Sequence, residues 1–149
     1  MLSILIPARN EPHLNRTLKD LKAKAGGEIE IIVILDGWDT ERLDGVKYIG
    51  YFKSIGMKYA INSGADIATG EYLMKLDAHC IVASGFDLQL IRDHQPNWIQ
   101  IPRRYRLDEE KWEPVFDDLP SDYEYWIWPL KFKPPSLHGY KWWGRGVER

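Results

Sequence analysis

The sequence predicts an α/β fold, in which a mainly parallel β-sheet is flanked by helices within a single compact domain. Strand and helix patterns alternate through the first 77 residues, which is the order that consecutive βαβ units produce. The second of these strands, "EIEIIVILD" (28–36), is a nearly continuous run of Ile and Val, which is typical of a parallel strand covered on both faces. The length of 149 residues and the hydrophobic fraction of 44% are sufficient for one buried core.

Each strand and helix of this first part is indicated by a local pattern. The first strand, "LSILIP" (2–7), is a short apolar run that ends at a proline. In the helix that follows (13–27), leucines recur at helical spacing until a pair of glycines ends it. After the buried strand, "VKYIG" predicts a short third strand, "MKYAINSGADIA" (57–68) a second helix and "EYLMKLD" (71–77) a fourth strand.

The rest of the chain has weaker patterns. "FDLQLIRDH" (86–94) has a helical pattern, and "WIQIPRRY" (98–105) is interpreted as a strand. A further strand is predicted at "YEYWIW" (123–128), where a proline stops it. The tail beyond it contains prolines and glycines and is predicted to be mostly loop.

The charges are nearly balanced in total but unevenly distributed along the chain. The net charge of −2 gives the molecule no general attraction to nucleic acid or to a membrane. Residues 107–124 contain eight acidic residues and one lysine, whereas residues 131–149 contain five Lys or Arg and one acid. The basic tail is therefore either a solvated surface or part of a site for an anionic ligand.

Cysteine content and the N-terminal segment indicate where the protein works. The single cysteine, Cys80, cannot form a disulfide within the chain, which fits a reducing compartment. The apolar stretch in "MLSILIPARN" is too short for a signal peptide or a membrane span and has no basic flank. We therefore expect a cytoplasmic protein with no membrane span.

Three of the predicted strands end in polar clusters. These are "ARNE" (8–11) after the first strand, "DGWD" (36–39) after the second and "DAH" (77–79) after the fourth. Right-handed crossovers between parallel strands place the loops that follow them along one edge of the sheet. Ligands of such sheets bind at this carboxyl edge, so we expect the three clusters to form one site.

Asp77 and His79 stand one residue apart in the turn that follows the fourth strand. A pair at this spacing can direct both side chains at one ion, and a carboxylate with an imidazole suits Mn²⁺, Fe²⁺ or Zn²⁺ better than Mg²⁺ or Ca²⁺. Two protein ligands leave coordination positions that a diphosphate can fill. The alternative is a plain turn, in which Asp77 caps the backbone and His79 is exposed.

In their order and spacing, the motifs of residues 2–90 resemble the nucleotide-binding half of GT-A (Rossmann-like) glycosyltransferases of the large family 2 type. The family pattern is a first strand ending in Pro and Asn-Glu, a second ending in Asp-Asp-Gly-Ser, an Ala-x-Asn-x-Gly helix, and Gly-Glu-Tyr before an apolar strand into Asp-x-Asp. The matching residues are Pro7, Asn10, Glu11, Asp36, Gly37, Ala60, Asn62, Gly64, Gly70, Glu71, Tyr72 and Asp77. The chain departs from the pattern at Leu35 and Trp38, which stand where the family has Asp and Ser, and at His79.

The segment "LDAHC" is similar to the Asp-x-His motif of the polypeptide N-acetylgalactosaminyltransferases, in which both residues bind manganese. This resemblance implies that Asp77 and His79 form the metal and catalytic pair, with Mn²⁺ (or Mg²⁺) bound to the diphosphate of a UDP-sugar. The ion would neutralise charge on the departing nucleotide. A late histidine is a third ligand in those enzymes, and His138 is the candidate here, with an ordinary loop histidine as the alternative.

The resemblance also implies which residues bind the nucleotide sugar. The end of the first strand and the Asp36 carboxylate would surround uracil and ribose, since a carboxylate can accept the imide N–H of uracil. Asn62 and Gly64 would lie near the pyrophosphate or the donor sugar, where a glycine leaves room for approach. The alternatives are a helix cap or Asx-turn for Asp36, and a helix kink or a helix–sheet contact for Asn62 and Gly64. The predicted donor-binding residues are Pro7, Ala8, Arg9, Glu11, Asp36, Asn62, Gly64, Asp77 and Ala78.

On the same basis residues 1–105 are the donor-binding part of the domain, and residues 106–149 are a short acceptor-side part of it. An inverting enzyme needs a carboxylate base, and the late acids available are Asp117, Asp118, Asp122 and Glu124. We take Asp122 as the candidate catalytic base. A solvated acidic loop is the alternative, and a retaining enzyme needs no such base.

The predicted function is a metal-dependent glycosyltransferase of the hexosyltransferase type. A nucleotidyltransferase on a related sheet is the second option, but those enzymes have a Gly-rich, Arg-containing loop after the first strand. The corresponding segment here, "PARNEPH", contains no glycine, which disfavours this option. A non-catalytic nucleotide-sugar-binding domain is the third option. The acceptor stays open among a glycan, a lipid-linked sugar, a protein and nucleic acid. "RRYR" (103–106) and the basic aromatic tail would suit an anionic acceptor. The oligomeric state, and whether the chain is a whole enzyme or a donor-binding part, also stay open.

Overall fold

The computed structural model describes residues 1–117 and 120, together with the backbone of the strands at 123–127 and 138–142. Two compact units are distinguished along the chain, Met1–Gln95 and Pro96–Arg149. The first unit contains the predicted α/β layers, and the second contains short antiparallel strand pairs.

The first unit is built on a four-stranded sheet in which every pairing is parallel. Its strands are β1 (Leu2–Ala8), β2 (Ile29–Asp36), β3 (Lys47–Tyr51) and β4 (Tyr72–Lys75), and they stand in the order β3-β2-β1-β4. The predicted parallel sheet is confirmed, although β4 is shorter than the expected 71–77. Because β1 lies between β2 and β4, the segments that follow these three strands emerge side by side.

Helices cover both faces of this sheet. They are α1 (Leu14–Lys24), α2 (Met57–Ile67) and α3 (Phe86–Arg92). On one face Leu18 of α1 belongs to the same buried cluster as Val33 of β2. On the other face Ala60 of α2 is buried together with Ile34. The interior of β2 is thus buried from both sides, as its Ile and Val run predicts.

The glycine pair after α1 connects that helix to α3. The helix already ends at Lys24, and the following Gly26 and Gly27 donate their N–H groups to the two oxygens of Asp87, each at 2.8 Å. Burial by itself raises the pKa of Asp87, but these hydrogen bonds lower it overall. Asp87 is 1% exposed, so its charged carboxylate is an internal link between the two helices.

A second buried carboxylate, that of Glu30, holds the amino edge of the sheet. It accepts hydrogen bonds from Ser3 Oγ of β1 and Lys47 Nζ of β3, and also from the N–H and hydroxyl of Thr69 at 2.8 and 2.9 Å. Burial raises the pKa of Glu30, yet the hydrogen bonds from Lys47, Ser3 and Thr69 lower it to about 2. Glu30 therefore ties three strands and the turn before β4 together.

In the part of the second unit that the structure describes, the strands form two antiparallel pairs. The first pair is β5 (Arg106–Asp108) with β6 (Glu113–Val115), and the second is β7 (Tyr123–Ile127) with β8 (His138–Trp142). The strand predicted at 123–128 is confirmed as β7. The tail, predicted to be mostly loop, contains β8, which pairs with β7. No local pattern in the sequence indicates this pairing.

The strand predicted at 98–105 is wrong. This segment carries no strand; Ile99 and Ile101 are 92% and 59% exposed, so its apolar residues have no buried face to pack on. Pro102 also lacks the N–H that a strand ladder needs. Among the helices that the structure describes, none is both long and apolar enough to cross a bilayer.

Candidate active site

The carboxyl edge of the sheet holds the segments that follow β1, β2 and β4. All three strands run parallel, and β1 pairs with both of the others. The clusters at 8–11, 36–39 and 77–79 therefore lie along one edge, as strand polarity predicts. Side-chain contacts link these clusters to one another and to α1 and the loop before α2.

The turn at 77–79 is fastened to α1 on both sides of His79. Thr17, which is fully buried, donates its hydroxyl hydrogen to the Ala78 carbonyl at 2.9 Å and accepts the Cys80 N–H at 3.1 Å. Farther along, Asp20 accepts the Val82 N–H at 3.0 Å. The backbone of this turn is thus positioned by a helix that lies about 60 residues earlier in the chain.

The side chains of Asp77 and His79 point to a partly open surface. Asp77 is 47% exposed and pairs with Lys75, the last residue of β4. His79 is 50% exposed, and its Nδ1 lies 3.1 Å from Oε2 of Glu11. The second contact joins the turn after β4 to the segment after β1, which places two of the family motifs in direct contact.

The segment after β1 turns sharply before α1 begins. Asn10 has a φ of +53°, a left-handed conformation in which asparagine is favoured among non-glycine residues. Arg9 then donates from Nη1 to Ser54 Oγ at 3.2 Å, in the loop before α2. Of the predicted donor-binding residues here, Ala8 is 2% exposed, so its side chain belongs to the core and only the backbone can meet a ligand.

Asp36 ends β2, and its carboxylate is 7% exposed. It accepts hydrogen bonds from the Ile55 N–H at 2.5 Å, Ser54 Oγ at 2.8 Å and the Gly56 N–H at 3.2 Å. Burial raises the pKa of Asp36, but these hydrogen bonds and the charge of Arg9 lower it overall. The structure thus gives Asp36 the capping contacts that were the alternative to uracil binding.

Gly37 allows the loop before α2 to approach β2 closely. Its φ is +71°, and a Cβ at this position would lie 2.7 Å from the backbone nitrogen of Ser54. Only glycine satisfies both conditions. The Asp-Gly pair of the motif therefore serves the junction between the second strand and the loop at 54–56.

Two predicted donor-binding residues lie on α2 but have different surroundings. Asn62 is exposed and lines an open depression of about 520 Å³, formed by Tyr51, Ile55, Tyr59, Asn62, Ser63 and Asp66. Gly64 faces the sheet instead, and a Cβ there would lie 2.8 Å from Cδ1 of Ile34. The expectation that Gly64 makes room for a ligand is corrected: it makes room for the sheet.

Ala78 has a structural role in the turn. Its side chain is 1% exposed, and its carbonyl oxygen accepts the Thr17 hydroxyl. The side chain is therefore buried away from any ligand, and donor binding by the Ala78 backbone stays a prediction. Pro7, by contrast, is half-buried in β1, where it pairs with Ile34 of β2.

The thiol of Cys80 lies near Asp77. Burial raises the pKa of this thiol, and the nearby Asp77 charge adds to the effect, so Cys80 is a neutral thiol at neutral pH in the metal-free protein. Within residues 1–117 and 120, no three His, Cys, Asp or Glu side chains are grouped so as to hold a metal ion. Asp77 and His79, the predicted metal pair, therefore have no third protein ligand among these described residues.

Two predicted functional residues lie outside what the structure describes. Asp122, the candidate base, is not among the described residues, and for His138 only the backbone of β8 is described. Three positioning residues, in turn, escaped the sequence reasoning: Thr17, Lys75 and Ser54. A signal existed only for Thr17, a polar residue on the leucine face of α1 that is buried and therefore needs hydrogen-bond partners.

The sheet order, the flanking helices and the polar carboxyl edge define a GT-A-like fold of the Rossmann type. Residues 3–137 match the sequence model described as glycosyl transferase family 2, and the chain belongs to that family.

A solved structure agrees with this assignment at the level of the fold. S. aureus TarS 1–349 is similar to this chain with a TM-score of 0.50 and 14% sequence identity. The similarity covers 71% of this chain and 41% of the TarS chain, so the protein spans less than half the length of that relative. None of the curated proteins matches the sequence.

Proposed function

We propose that this protein is a metal-dependent glycosyltransferase of the hexosyltransferase type, which transfers a sugar from a UDP-sugar. The observation that carries the proposal is the 3.1 Å contact between His79 Nδ1 and Glu11 Oε2. It places the turn that carries Asp77 and His79 against the end of β1, where family members of this fold are expected to hold the nucleotide. Both side chains are about half exposed, so a diphosphate can reach them.

The residues present fit a divalent ion that is shared with the substrate. Asp77 offers carboxylate oxygens, and His79 offers its Nε2 because its Nδ1 is engaged by Glu11. A carboxylate and an imidazole suit Mn²⁺ better than Mg²⁺, and His138 is the proposed third protein ligand. When bound, the ion supplies Lewis-acid neutralisation of the diphosphate charge. Lys75 pairs with Oδ1 of Asp77, so Oδ2 is the oxygen that would bind the ion.

Selectivity for uridine is assigned to Asp36, in addition to its capping role. A carboxylate has about four acceptor positions, and the loop at 54–56 uses three hydrogen bonds. One position is left to accept the imide N–H of uracil. Since the Asp36 pKa is lowered, the group is an acceptor at neutral pH, which favours uracil over cytosine at this position.

The acceptor side of the reaction is the less constrained part of the proposal. Asp122 is our candidate base for an inverting reaction, and a retaining reaction would not require it. Arg103, Arg104 and Arg106 are exposed around Tyr105, which supports an anionic acceptor such as a glycan or nucleic acid. An array of acceptors with a labelled donor would identify the class.

The proposal is tested by thermal unfolding with nucleoside diphosphates and Mn²⁺. UDP with Mn²⁺ should raise Tm more than ADP or GDP, since a ligand that binds only the native state stabilises it by mass action. Asp77→Asn should remove the metal-dependent part of this rise. Glu28→Gln, which changes an exposed carboxylate at the opposite edge of the sheet, should keep it. Equal shifts for all three nucleotides would remove the uridine claim.

Turnover separates the competing classes of function. A glycosyltransferase should hydrolyse its UDP-sugar slowly in the presence of Mn²⁺ even without an acceptor, and Asp77→Asn should abolish this reaction. Tight binding of the UDP-sugar without any hydrolysis or transfer would support a non-catalytic binding domain. Consumption of a nucleoside triphosphate would support a nucleotidyltransferase.

A further inference from the structure

We infer that Glu11 is a positioning residue, which holds the imidazole of His79 with Nδ1 protonated and Nε2 turned to the ligand side. The inference rests on the proposed function, because it assigns to Nε2 the bond to Mn²⁺. Glu11 is one of the donor-binding residues predicted from the sequence, whereas the inferred role acts through His79. Its basis is the geometry of the contact between two segments that are 68 residues apart in the chain.

The backbone on either side of His79 is already fixed. The Thr17 hydroxyl donates to the Ala78 carbonyl at 2.9 Å and accepts the Cys80 N–H at 3.1 Å. Thr17 is fully buried in α1, so its own side chain has little freedom. What remains free in His79 is the rotation of the side chain about its two torsions.

The Glu11 carboxylate removes most of that freedom. An ionised carboxylate only accepts hydrogen bonds, so the His79 nitrogen 3.1 Å away must carry the hydrogen. In a neutral imidazole the other nitrogen, Nε2, then has the lone pair that a metal ion requires. The arrangement is the carboxylate–histidine pairing that orients metal-binding imidazoles in many proteins.

Glu11 is itself held at the start of α1. Its carbonyl accepts the Leu14 N–H at 3.3 Å, and the preceding Asn10 turns the chain with a φ of +53°. The Glu11 side chain is 27% exposed, so it is partly enclosed. Glu11, just before α1, and Thr17, within α1, thus set the ring and the backbone of His79 respectively.

The contact is too exposed to be needed for folding. His79 is 50% exposed, and exposed pairs of this kind contribute little to stability because solvent screens them. The contact between Glu11 and His79 therefore adds little to the stability of the fold. Variants at this position should therefore fold, which makes the inference testable in the protein without metal.

The experiment compares Glu11→Ala, Glu11→Gln and the control Glu28→Ala. The first readout is the ¹⁵N shift pair of the His79 ring in the metal-free protein, which reports the tautomer. The second is Mn²⁺ affinity measured by electron paramagnetic resonance in the presence of UDP. Glu11→Ala should lose the single Nδ1–H tautomer of His79 and reduce the affinity for Mn²⁺ roughly 10- to 100-fold. Glu11→Gln keeps an acceptor oxygen and should lose less of both, whereas Glu28→Ala should change neither.

Each contrary outcome has a distinct meaning. Failure of the unsubstituted protein to bind Mn²⁺ with UDP refutes the proposed function and the inference with it. Unchanged Mn²⁺ affinity in Glu11→Ala overturns the inference and leaves the proposed function standing. A weaker affinity with an unchanged tautomer also overturns it, because Glu11 would then act as a ligand and not through His79.

Discussion

The buried carboxylate of Glu30 provides the sharpest prediction about stability. The perturbation is Glu30→Gln, which preserves size but removes the charge that four donor groups surround. These donors are Ser3 Oγ, Lys47 Nζ and the N–H and hydroxyl of Thr69. An amide presents N–H groups to some of these donors in place of oxygen, so at least one hydrogen bond must be lost.

The size of the effect follows from the pKa of Glu30. In the folded protein this pKa is lowered from 4.5 to about 2. At 1.36 kcal/mol per pH unit, the difference corresponds to about 3 kcal/mol of stability at neutral pH. The Lys47 side chain is 50% exposed, and solvent screens its share of the interaction. We therefore expect Glu30→Gln to reduce the free energy of unfolding by about 2 kcal/mol at pH 7.

The same pKa predicts how the difference depends on pH. Because the pKa is lowered by folding, the stabilisation is fully present well above 4.5 and is lost as the pH falls towards about 2. The unsubstituted protein should approach the stability of Glu30→Gln over this window. Since Asp36 and Asp87 also have lowered pKa values, only the difference between the two proteins isolates Glu30.

The assay is urea unfolding followed by circular dichroism at several pH values between 7 and 3, with the slope m compared between variants. Glu28→Gln is the matched control, because it removes an exposed carboxylate two residues earlier in the chain and should change stability by less than about 0.5 kcal/mol. A difference between Glu30→Gln and the unsubstituted protein that stays constant from pH 7 to pH 3 would refute the reasoning.

The remaining predictions concern the sheet edge and α2. Gly64→Ala should cost about 1–3 kcal/mol in urea unfolding, because its Cβ would lie 2.8 Å from Ile34 Cδ1; unchanged stability would show that α2 can shift freely. Asp36→Asn should reduce the free energy of unfolding by about 1–3 kcal/mol and reduce the affinity for UDP measured by calorimetric titration. An unchanged UDP affinity would show that Asp36 only caps the loop before α2. His79→Asp should shift the metal preference from Mn²⁺ towards Mg²⁺. An unchanged preference would exclude His79 as a ligand. Asp77→Asn should bind either ion more weakly than His79→Asp does.

Much of the first unit could be predicted because its patterns are local. The Ile and Val run of β2 indicates burial on both faces, and the structure confirms it through packing with α1 on one side and α2 on the other. The order of strand and helix patterns then predicts parallel pairing. In the second unit no local pattern indicates the β5–β6 hairpin. The strand predicted at 98–105 is wrong because residues that are exposed in the fold can still carry a β-branched, apolar pattern.

The candidate site was only partly predictable for a related reason. Strand polarity places the three polar clusters along one edge, but motif membership does not say which way a side chain faces. Gly64 illustrates this, because the same glycine serves a ligand or a sheet depending on the rotation of α2, and the structure turns it to Ile34. Asp36 likewise acquires its hydrogen-bond partners from the loop before α2, which has no motif of its own.

The parallel sheet, its carboxyl edge and the position of Asp77 and His79 just beyond β4 could be predicted from the sequence, because periodicity and strand ends are properties of neighbouring residues. That β1 lies between β2 and β4, and that Glu11 contacts His79 across 68 residues, became known only from the folded chain. Strand order and side-chain contacts between distant segments depend on which surfaces pack together. That choice is made by the whole buried core, and no single segment carries it.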